Sequence, residues 1–385
     1  MDTPSADFEQ RYVSQRFVEW WDQRAVGRGR VLVAGVGALG NEAVKDLALA
    51  GVGTLMLVDF DRVEVHNLSR CVLFGERDIG KPKVGAAQAA LARLNPQVRV
   101  RPMDADVETG IGAGVVARCD VVLGCLDSRG ARRALNRLGS AAGTPYIDGG
   151  LRGLDGAVKT FLGGGPCYEC GLTEADYRAL AARHPCPKDA ATPSDAPAGR
   201  VPTLVSAAAI TGGLMTQQAL RLLCGQPVEG GRCITYRGAT MELEHVRLPL
   251  REGCPGHAPV QGVEPTGLGT SSTPGELLED GETLVLPGDV GFGACGCGGL
   301  VVMAGQGVGS HVACPRCGGK VVLRLTHHVG TDHPLAGVDL ARLGVPPLAW
   351  VAVETTNELK YKELDADEGR VFPPCRRAAG GAYRG

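Results

Sequence analysis

An apolar run that stops on three spaced glycines is the feature that most constrains this chain. Val31-Leu32-Val33-Ala34 reads as a buried strand, and Gly35-Val36-Gly37-Ala38-Leu39-Gly40 follows at once. A helix-like stretch from Asn41 to Ala50 comes next, then Thr54-Leu55-Met56-Leu57-Val58 and Asp59. Strand, glycine turn, helix, strand and acid is the order that cradles a nucleotide. Gly35 permits the tight turn, Gly37 lets the backbone approach a phosphate, and Gly40 lets the helix pack close to the strand. The helix start aims free N–H groups at an anion. Asp59 stands where a ribose hydroxyl is usually accepted.

Further apolar runs alternate with helical stretches. Val98-Arg99-Val100, the run from Val121 to Leu126, Pro145-Tyr146-Ile147-Asp148 and residues 157–162 read as strands three to six. This predicts an α/β fold with a doubly wound, mostly parallel, Rossmann-like sheet. Ligands bind at the carboxyl ends of such strands, so Asp59, Asp127 and Asp148 are expected to line one crevice. Residues 1–26 read as an amphipathic helical lead-in. Residues 203–224 read as an apolar helix, and residues 232–236 and 241–248 as strands that close the sheet. With 385 residues there is room for a second unit. The first domain is expected over 1–257, including an irregular, mobile loop at 171–202 marked by Pro187, Pro193 and Pro197. Residues 258–281, rich in Pro, Gly, Ser, Thr and Glu, read as a linker. Residues 282–375 read as a small β-rich module, and 376–385 as a disordered tail.

The formal net charge of −2 gives no global reason to expect nucleic acid. No apolar run reaches the length of a membrane span and the N-terminus lacks signal-peptide character, so a cytoplasmic protein is expected. Fourteen cysteines could suggest disulfides, but their spacing argues for metal. Cys167 and Cys170 form C-x-x-C, Cys254 and His257 form C-x-x-H, Cys295 and Cys297 form C-x-C, and Cys314 and Cys317 form C-x-x-C. In an intracellular protein such clusters more often bind metal, and Cys295, Cys297, Cys314 and Cys317 read as a second structural zinc site. The glycines after Cys297 and Cys317 give the second site the look of a zinc ribbon, a staple that a module poor in core residues needs. Cys71, Cys119, Cys125, Cys224, Cys233 and Cys375 read as small apolar fillers.

The residues after Asp59 decide what the pocket is for. Asp61, Asn67, Arg70 and Lys83 follow it closely, and Asp127 ends the fourth strand. A hydride-transfer site has no need of this polar set. A triphosphate site does: Arg and Lys neutralise phosphate oxygens, and a carboxylate with phosphate oxygens holds Mg2+. Taken singly, Arg70 and Lys83 also suit surface charges, and Asp127 a helix cap.

The glycine turn, Asn41-Glu42-Ala43-Val44-Lys45-Asp46-Leu47, Asp59-Phe60-Asp61, Asn67-Leu68-Ser69-Arg70, Lys81-Pro82-Lys83 and Cys125-Leu126-Asp127-Ser128 together resemble the adenylation domain of ubiquitin-activating enzymes. The same domain occurs in the molybdopterin- and thiamin-pathway adenylyltransferases of the MoeB/ThiF family. The resemblance covers roughly residues 8–257, with the motifs in family order. It implies that Asp59 holds the ribose, that Asn67, Arg70 and Lys83 bind phosphates, and that Asp127 holds Mg2+. The implied reaction is attack of a ubiquitin-like protein's C-terminal carboxylate on the ATP α-phosphate, giving an acyl adenylate and pyrophosphate. It also implies a homodimer, because the family's N-terminal Tyr-x-Arg-Gln often sends its Arg to the ATP of the other subunit. Here the stretch is Arg11-Tyr12-Val13-Ser14-Gln15-Arg16, with Ser14 at the Arg position, so the role is expected to pass to Arg16 or Arg11 or to be lost. Cys71 replaces the usual Gln after Arg70.

The family's paired cysteine motifs hold a structural zinc, which implies one closed site of Cys167, Cys170, Cys254 and His257, with His257 standing in for the last cysteine. Between the two halves, His184-Pro185-Cys186-Pro187-Lys188-Asp189 resembles the catalytic-cysteine segment of ubiquitin-activating enzymes. Cys186 is therefore expected to attack the acyl adenylate, form a thioester and pass the carrier to a conjugating enzyme. One alternative stops at adenylation of a sulfur carrier for cofactor biosynthesis. An NAD-dependent oxidoreductase leaves Asn67, Arg70, Lys83 and Asp127 unexplained, and a non-catalytic scaffold leaves the complete nucleotide set unexplained.

Overall fold

The computed structural model describes residues 10–182, 203–257, 259–304, 310–356 and 358–366. Eight strands build the first sheet: β1 (Arg30–Ala34), β2 (Thr54–Val58), β3 (Arg99–Met103), β4 (Val121–Gly124), β5 (Tyr146–Arg152), β6 (Asp155–Phe161), β7 (Arg232–Arg237) and β8 (Glu242–Arg247). Their spatial order is β3-β2-β1-β4-β5-β6-β7-β8. The five strands from β3 to β5 pair in parallel, and β5 to β8 continue as an antiparallel meander.

The strands carry unbroken apolar runs because both faces are covered. Val31, Val33, Leu55 and Leu57 point into one core, and Leu32, Ala34, Met56 and Val58 into the other. Among the described residues, seven α-helices accompany this sheet: α1 (Gln23–Arg28), α2 (Ala38–Ala50), α3 (Lys83–Leu94), α4 (Ala113–Ala117), α5 (Arg129–Ala142), α6 (Glu174–Ala182) and α7 (Val205–Leu223). Helices α2, α3 and α7 supply the first core, and α4 and α5 the second. The strand order reverses between β1 and β4, which opens a crevice at their carboxyl ends.

The N-terminal lead-in is not one amphipathic helix. Gln10 and Arg11 are helical, a 3-10 turn (Val13–Phe17) follows Tyr12, and α1 starts afresh where Asp22 Oδ1 accepts from the N–H groups of Arg24 and Ala25. Tyr12 explains the break. It is 2% exposed, its hydroxyl accepts from Asn95 Nδ2 at 2.8 Å, and its ring covers Gly51. Seating that ring takes precedence over helical continuity.

Residues 258–281 are not a linker throughout. They contain β9 (Val263–Gly269) and α8 (Pro274–Leu277), whose first turn is boxed by Thr273 and Glu276. The C-terminal strands follow: β10 (Thr283–Ala294), β11 (Leu300–Ala304), β12 (His311–Ala313), β13 (Lys320–Val322), β14 (Arg324–Gly330), β15 (Trp350–Glu354) and β16 (Leu359–Asp365). The second sheet runs β11-β10-β15-β16-β9, with β14 also on β10. Strand β9 is held by parallel pairing to β16, a partner almost a hundred residues away. No local apolar alternation announces it. Leu284, Val290, Val329, Leu340, Val353 and Leu364 fill this module's core. Strands β12 and β13 form a separate hairpin.

Candidate active site and metal centres

A cavity of about 860 Å³ opens at the carboxyl ends of the parallel strands. Gly35, Gly37, Asp59, Asp61, Asn67, Arg70, Lys83 and Asp127 all line it. The glycine turn shows why its residues are glycines. Gly35 has φ +88°, and a Cβ there would sit 2.4 Å from the Cys125 carbonyl oxygen. A Cβ on Gly40 would sit 1.9 Å from the Gly35 oxygen, so Gly40 lies behind the turn and lets α2 close on it. A Cβ on Gly37 would meet nothing within 4 Å. The protein does not require glycine there; the open side faces the crevice, where a ligand's approach would.

Asp59 ends β2 and ties the turn to it. One carboxylate oxygen accepts from the Val36 N–H at 2.7 Å and the other from the Asp61 N–H at 2.8 Å. Each oxygen keeps a lone pair for a hydroxyl donor. Burial pushes the Asp59 pKa up, against the pull of Lys83 and of those two N–H groups. Lys83, the first residue of α3, places Nζ 2.7 Å from Asp61 Oδ2. Burial works against its charge, but Asp59 and Asp61 outweigh it and hold its pKa above the ordinary lysine value. Lys83 is thus a buried, charged ammonium aimed at the crevice.

Asn67 is buried, and its Oδ1 accepts from the Glu64 N–H at 2.9 Å. Arg70 is anchored by Nη1 donating to the His66 carbonyl at 2.7 Å. Asp127 is exposed and makes no hydrogen bond or ion pair among the described residues. It is not the cap of α5; that part belongs to Ser128, whose hydroxyl accepts from the Ala131 N–H. A bare carboxylate facing a cavity that also holds Arg70 and Lys83 has the chemistry of an Mg2+ ligand.

Asp148 does not line the crevice, contrary to the expectation from its place at a strand end. It is 1% exposed and accepts from Arg132 Nη1 at 2.7 Å and from the Tyr146 hydroxyl at 3.0 Å. Burial raises its pKa, opposed first by Arg132. Arg132 itself reaches the crevice and also donates from Nε to the Leu126 carbonyl at 3.0 Å. It therefore braces the turn that presents Asp127. Asn41 does the same for the glycine turn. Its Nδ2 donates to the Val36 carbonyl at 2.7 Å, and its Oδ1 accepts from the Leu73 N–H at 2.9 Å. Both roles escape a reading of the sequence, because each joins backbone groups that only folding brings together.

Arg16 lies exposed on the 3-10 turn and is not among the residues lining the crevice of its own chain. Arg11 donates to the Leu94 carbonyl at 3.3 Å. Cys71 is buried, which pushes its thiol up to about 11. Cys125 lines the crevice, and its burial raises its thiol further still. Neither is a ready nucleophile. Cys186 falls outside the described residues, with His184 and Lys188.

The two cysteine clusters assemble as their spacing suggests. Within each, the ligand atoms all lie within 4.8 Å of one another. Cys167 Sγ is 3.7 Å from Cys254 Sγ, and Cys170 Sγ is 3.1 Å from His257 Nε2. In the second, Cys295 and Cys317 are 3.5 Å apart and Cys297 and Cys314 3.8 Å. A zinc tetrahedron with bonds of about 2.3 Å to sulfur has edges of about 3.8 Å. Both clusters fit zinc in size and in donor type. The second sits at the tips of two hairpins, with Cys295 and Cys297 between β10 and β11 and Cys314 and Cys317 between β12 and β13.

The ThiF family model matches residues 10–256. The molybdopterin-synthase adenylyltransferase of Escherichia coli (strain K12) is 32% identical over 251 residues, covering 63% of this chain and 94% of that protein. The SAMP-activating enzyme E1 of Haloferax volcanii is 32% identical over 268 residues, covering 69% and 94%. The sulfur carrier protein adenylyltransferase of Thermus thermophilus is 34% identical over 252 residues, covering 63% and 86%. Among solved structures, E. coli MccB with ATP aligns with a TM-score of 0.51 and 18% identity, covering 66% of this chain and 82% of that one, a likeness of fold alone. The chain belongs to the ThiF family and is an ATP-dependent, E1-like adenylyltransferase.

Proposed function

We propose that this protein activates the C-terminal carboxylate of a ubiquitin-like or sulfur-carrier protein with Mg-ATP and then forms a thioester on Cys186 for transfer to a conjugating enzyme. The observation that carries the adenylation step is the gathering of the glycine turn, Asp59, Asn67, Arg70, Lys83 and Asp127 around one cavity. In this reading Asp59 accepts from the ribose, and Asn67, Arg70 and Lys83 bind the phosphates. Asp127 holds Mg2+, which neutralises charge on the phosphates. The carrier's carboxylate attacks the α-phosphorus, pyrophosphate leaves, and an acyl adenylate remains. The chain's part is positioning and charge stabilisation, as elsewhere in phosphoryl and nucleotidyl transfer. Two zinc ions, held by the two cysteine clusters, are structural in this reading.

The thioester step rests on the resemblance around Cys186 and on where its segment is tethered. Asp176 on α6, just before that segment, lines the crevice, and so does Thr203 just after it. Described residues on both sides of it in sequence thus reach the crevice. The names of the relatives favour a second reading in which the carrier is passed on without an obligatory thioester: two of those reported above are adenylyltransferases of molybdopterin synthase and of a sulfur carrier. A homodimer, in which Arg16 of one chain serves the other's crevice, belongs to the same proposal.

ATP–pyrophosphate exchange with candidate carriers tests the adenylation. We expect exchange that depends on Mg2+ and drops by about 100-fold or more in Lys83→Ala, the loss typical of one charge-stabilising donor. The thioester is tested by a carrier adduct that a reducing agent removes and that Cys186→Ala never forms. An adduct-free chain that still exchanges pyrophosphate establishes the second reading instead.

A further inference from the structure

We infer that the C-terminal module sets one wall of the nucleotide crevice, by docking Leu348 onto the glycine-rich seat Gly112-Ala113-Gly114. The inference rests on the reading of the crevice as an ATP site and extends it to a part of the chain that the family match does not cover.

Leu348 precedes β15 in sequence, yet its side chain is buried elsewhere. It is 2% exposed and belongs to the second core of the first sheet, with Val107, Ile111, Val115 and Val116, not to the module's own core. Its φ is +53°, a region that leucine rarely enters and that must be held by its surroundings. The Leu348 carbonyl accepts from the Gly114 N–H at 2.9 Å. A Cβ on Gly112 would lie 2.4 Å from that same oxygen, and one on Gly114 2.7 Å. The seat is therefore small by necessity. Arg118, one turn on, pairs with Glu363 of β16 at 2.6 Å and also donates to the Gly114 carbonyl at 2.9 Å.

The seat is continuous with the crevice. Residues 104–112 join β3 to α4, and Val107, in the middle, lines the cavity. The Asp106 carboxylate accepts from the Glu108 N–H, and its carbonyl accepts from the Gly110 N–H at 2.7 Å. These bonds close a turn over residues 106–110. Glu108 then lies over the start of α5: a Cβ on Gly130 would be 2.6 Å from Glu108 Oε1. The loop is thus clamped between Leu348 on one side and, on the other, the helix start that follows Asp127. Displacing the module moves Val107, and Val107 is an apolar wall suited to a base. Leu348 is a positioning residue; it touches no substrate.

Linkage makes this reciprocal: if the module biases the wall, bound nucleotide must stabilise the seat. The full-length chain with Mg-ATP is the test. Hydrogen exchange of the Gly114 amide, which the Leu348 carbonyl protects, slows when Mg-ATP is added to the parent chain. Calorimetric Kd values for Mg-ATP rise about fivefold or more in Gly112→Ala and Leu348→Ala. Leu348→Met, which conserves volume, restores the parent Kd. Unchanged Gly114 exchange in a parent chain that binds Mg-ATP overturns the inference, whether or not the variants fold, and so do folded variants with the parent Kd. A parent chain that does not bind Mg-ATP overturns the nucleotide reading first and this inference with it.

Discussion

The first cysteine cluster stands beside an eight-stranded sheet whose two apolar cores close without it, whereas the second stands at two hairpin tips with little else to hold them. Cys167, Cys170 and Cys254 are buried, and side chains support them: Arg251 donates to Cys254 Sγ at 3.5 Å, to the Leu172 carbonyl at 2.8 Å and to the Tyr177 hydroxyl at 2.9 Å. Tyr177 in turn donates to Glu169, which Arg137 grips with two nitrogens. Among the described residues, the buried apolar cluster there consists of Val301, Val321 and Leu323 with Cys295 and Cys314, and Cys297 and Cys317 are exposed. The same ligand arithmetic therefore does different jobs. Where a large core exists, a bound metal would clasp a chain crossing already placed by hydrogen bonds. Where the core is a few side chains, a bound metal would substitute for it.

This contrast is most exposed to failure at the second cluster. Cys314→Ser should cost the hairpin tips their fold, since structural zinc contributes roughly 10 kcal/mol or more to modules of this kind. We expect the zinc content to halve, and amide protection to vanish across β12 and β13 while β1 to β5 keep theirs. Full zinc retention, or protected hairpins without the metal, breaks the comparison. Next in size is Leu123→Ala in the fully buried centre of β4. It should lower stability by about 2–5 kcal/mol in denaturant titration, with no loss of zinc from either cluster. Loss of the first cluster's metal in that variant would show that the clasp depends on the core more than its own hydrogen bonds suggest. The smallest effect sharpens the picture. Arg251→Met keeps all four ligands but removes their outer support, and should weaken zinc at the first cluster by about 10- to 100-fold in chelator competition while leaving the second unchanged.

The crevice was more legible in the sequence than its frame. Gly35, Gly37, Gly40 and Asp59 declare themselves because a tight turn, a close backbone approach and a strand-end acid are local demands on residue type. Arg70, Lys83 and Asp127 stand out by charge and Asn67 by its place in the motif order, and the structure brings all four to one cavity. The cysteine clusters were legible because thiol pairs at knuckle spacing have few other uses in such a chain. Asp148 misled, since an acid at a strand end looks the same whether it faces a ligand or a buried arginine. Arg132 and Asn41 went unseen for a related reason: their partners are backbone carbonyls and N–H groups, which carry no residue-type signal. Tyr12 and β9 were misread because each takes its conformation from a distant partner, the Asn95 and Gly51 seat in one case and the β16 ladder in the other.

The order of residues along the chain was enough to specify the parallel half of the sheet, the glycine turn and which polar side chains meet at the pocket. These follow from side-chain hydrophobicity, charge and the positive φ that glycine adopts without strain. Only the tertiary structure decided which acid faces the crevice, what braces the turns that present Asp59 and Asp127, and that a leucine from the C-terminal module is buried in the core of the first sheet. Those outcomes depend on backbone hydrogen bonds and packing between segments far apart in the chain, where the free energy belongs to the pair and not to either residue.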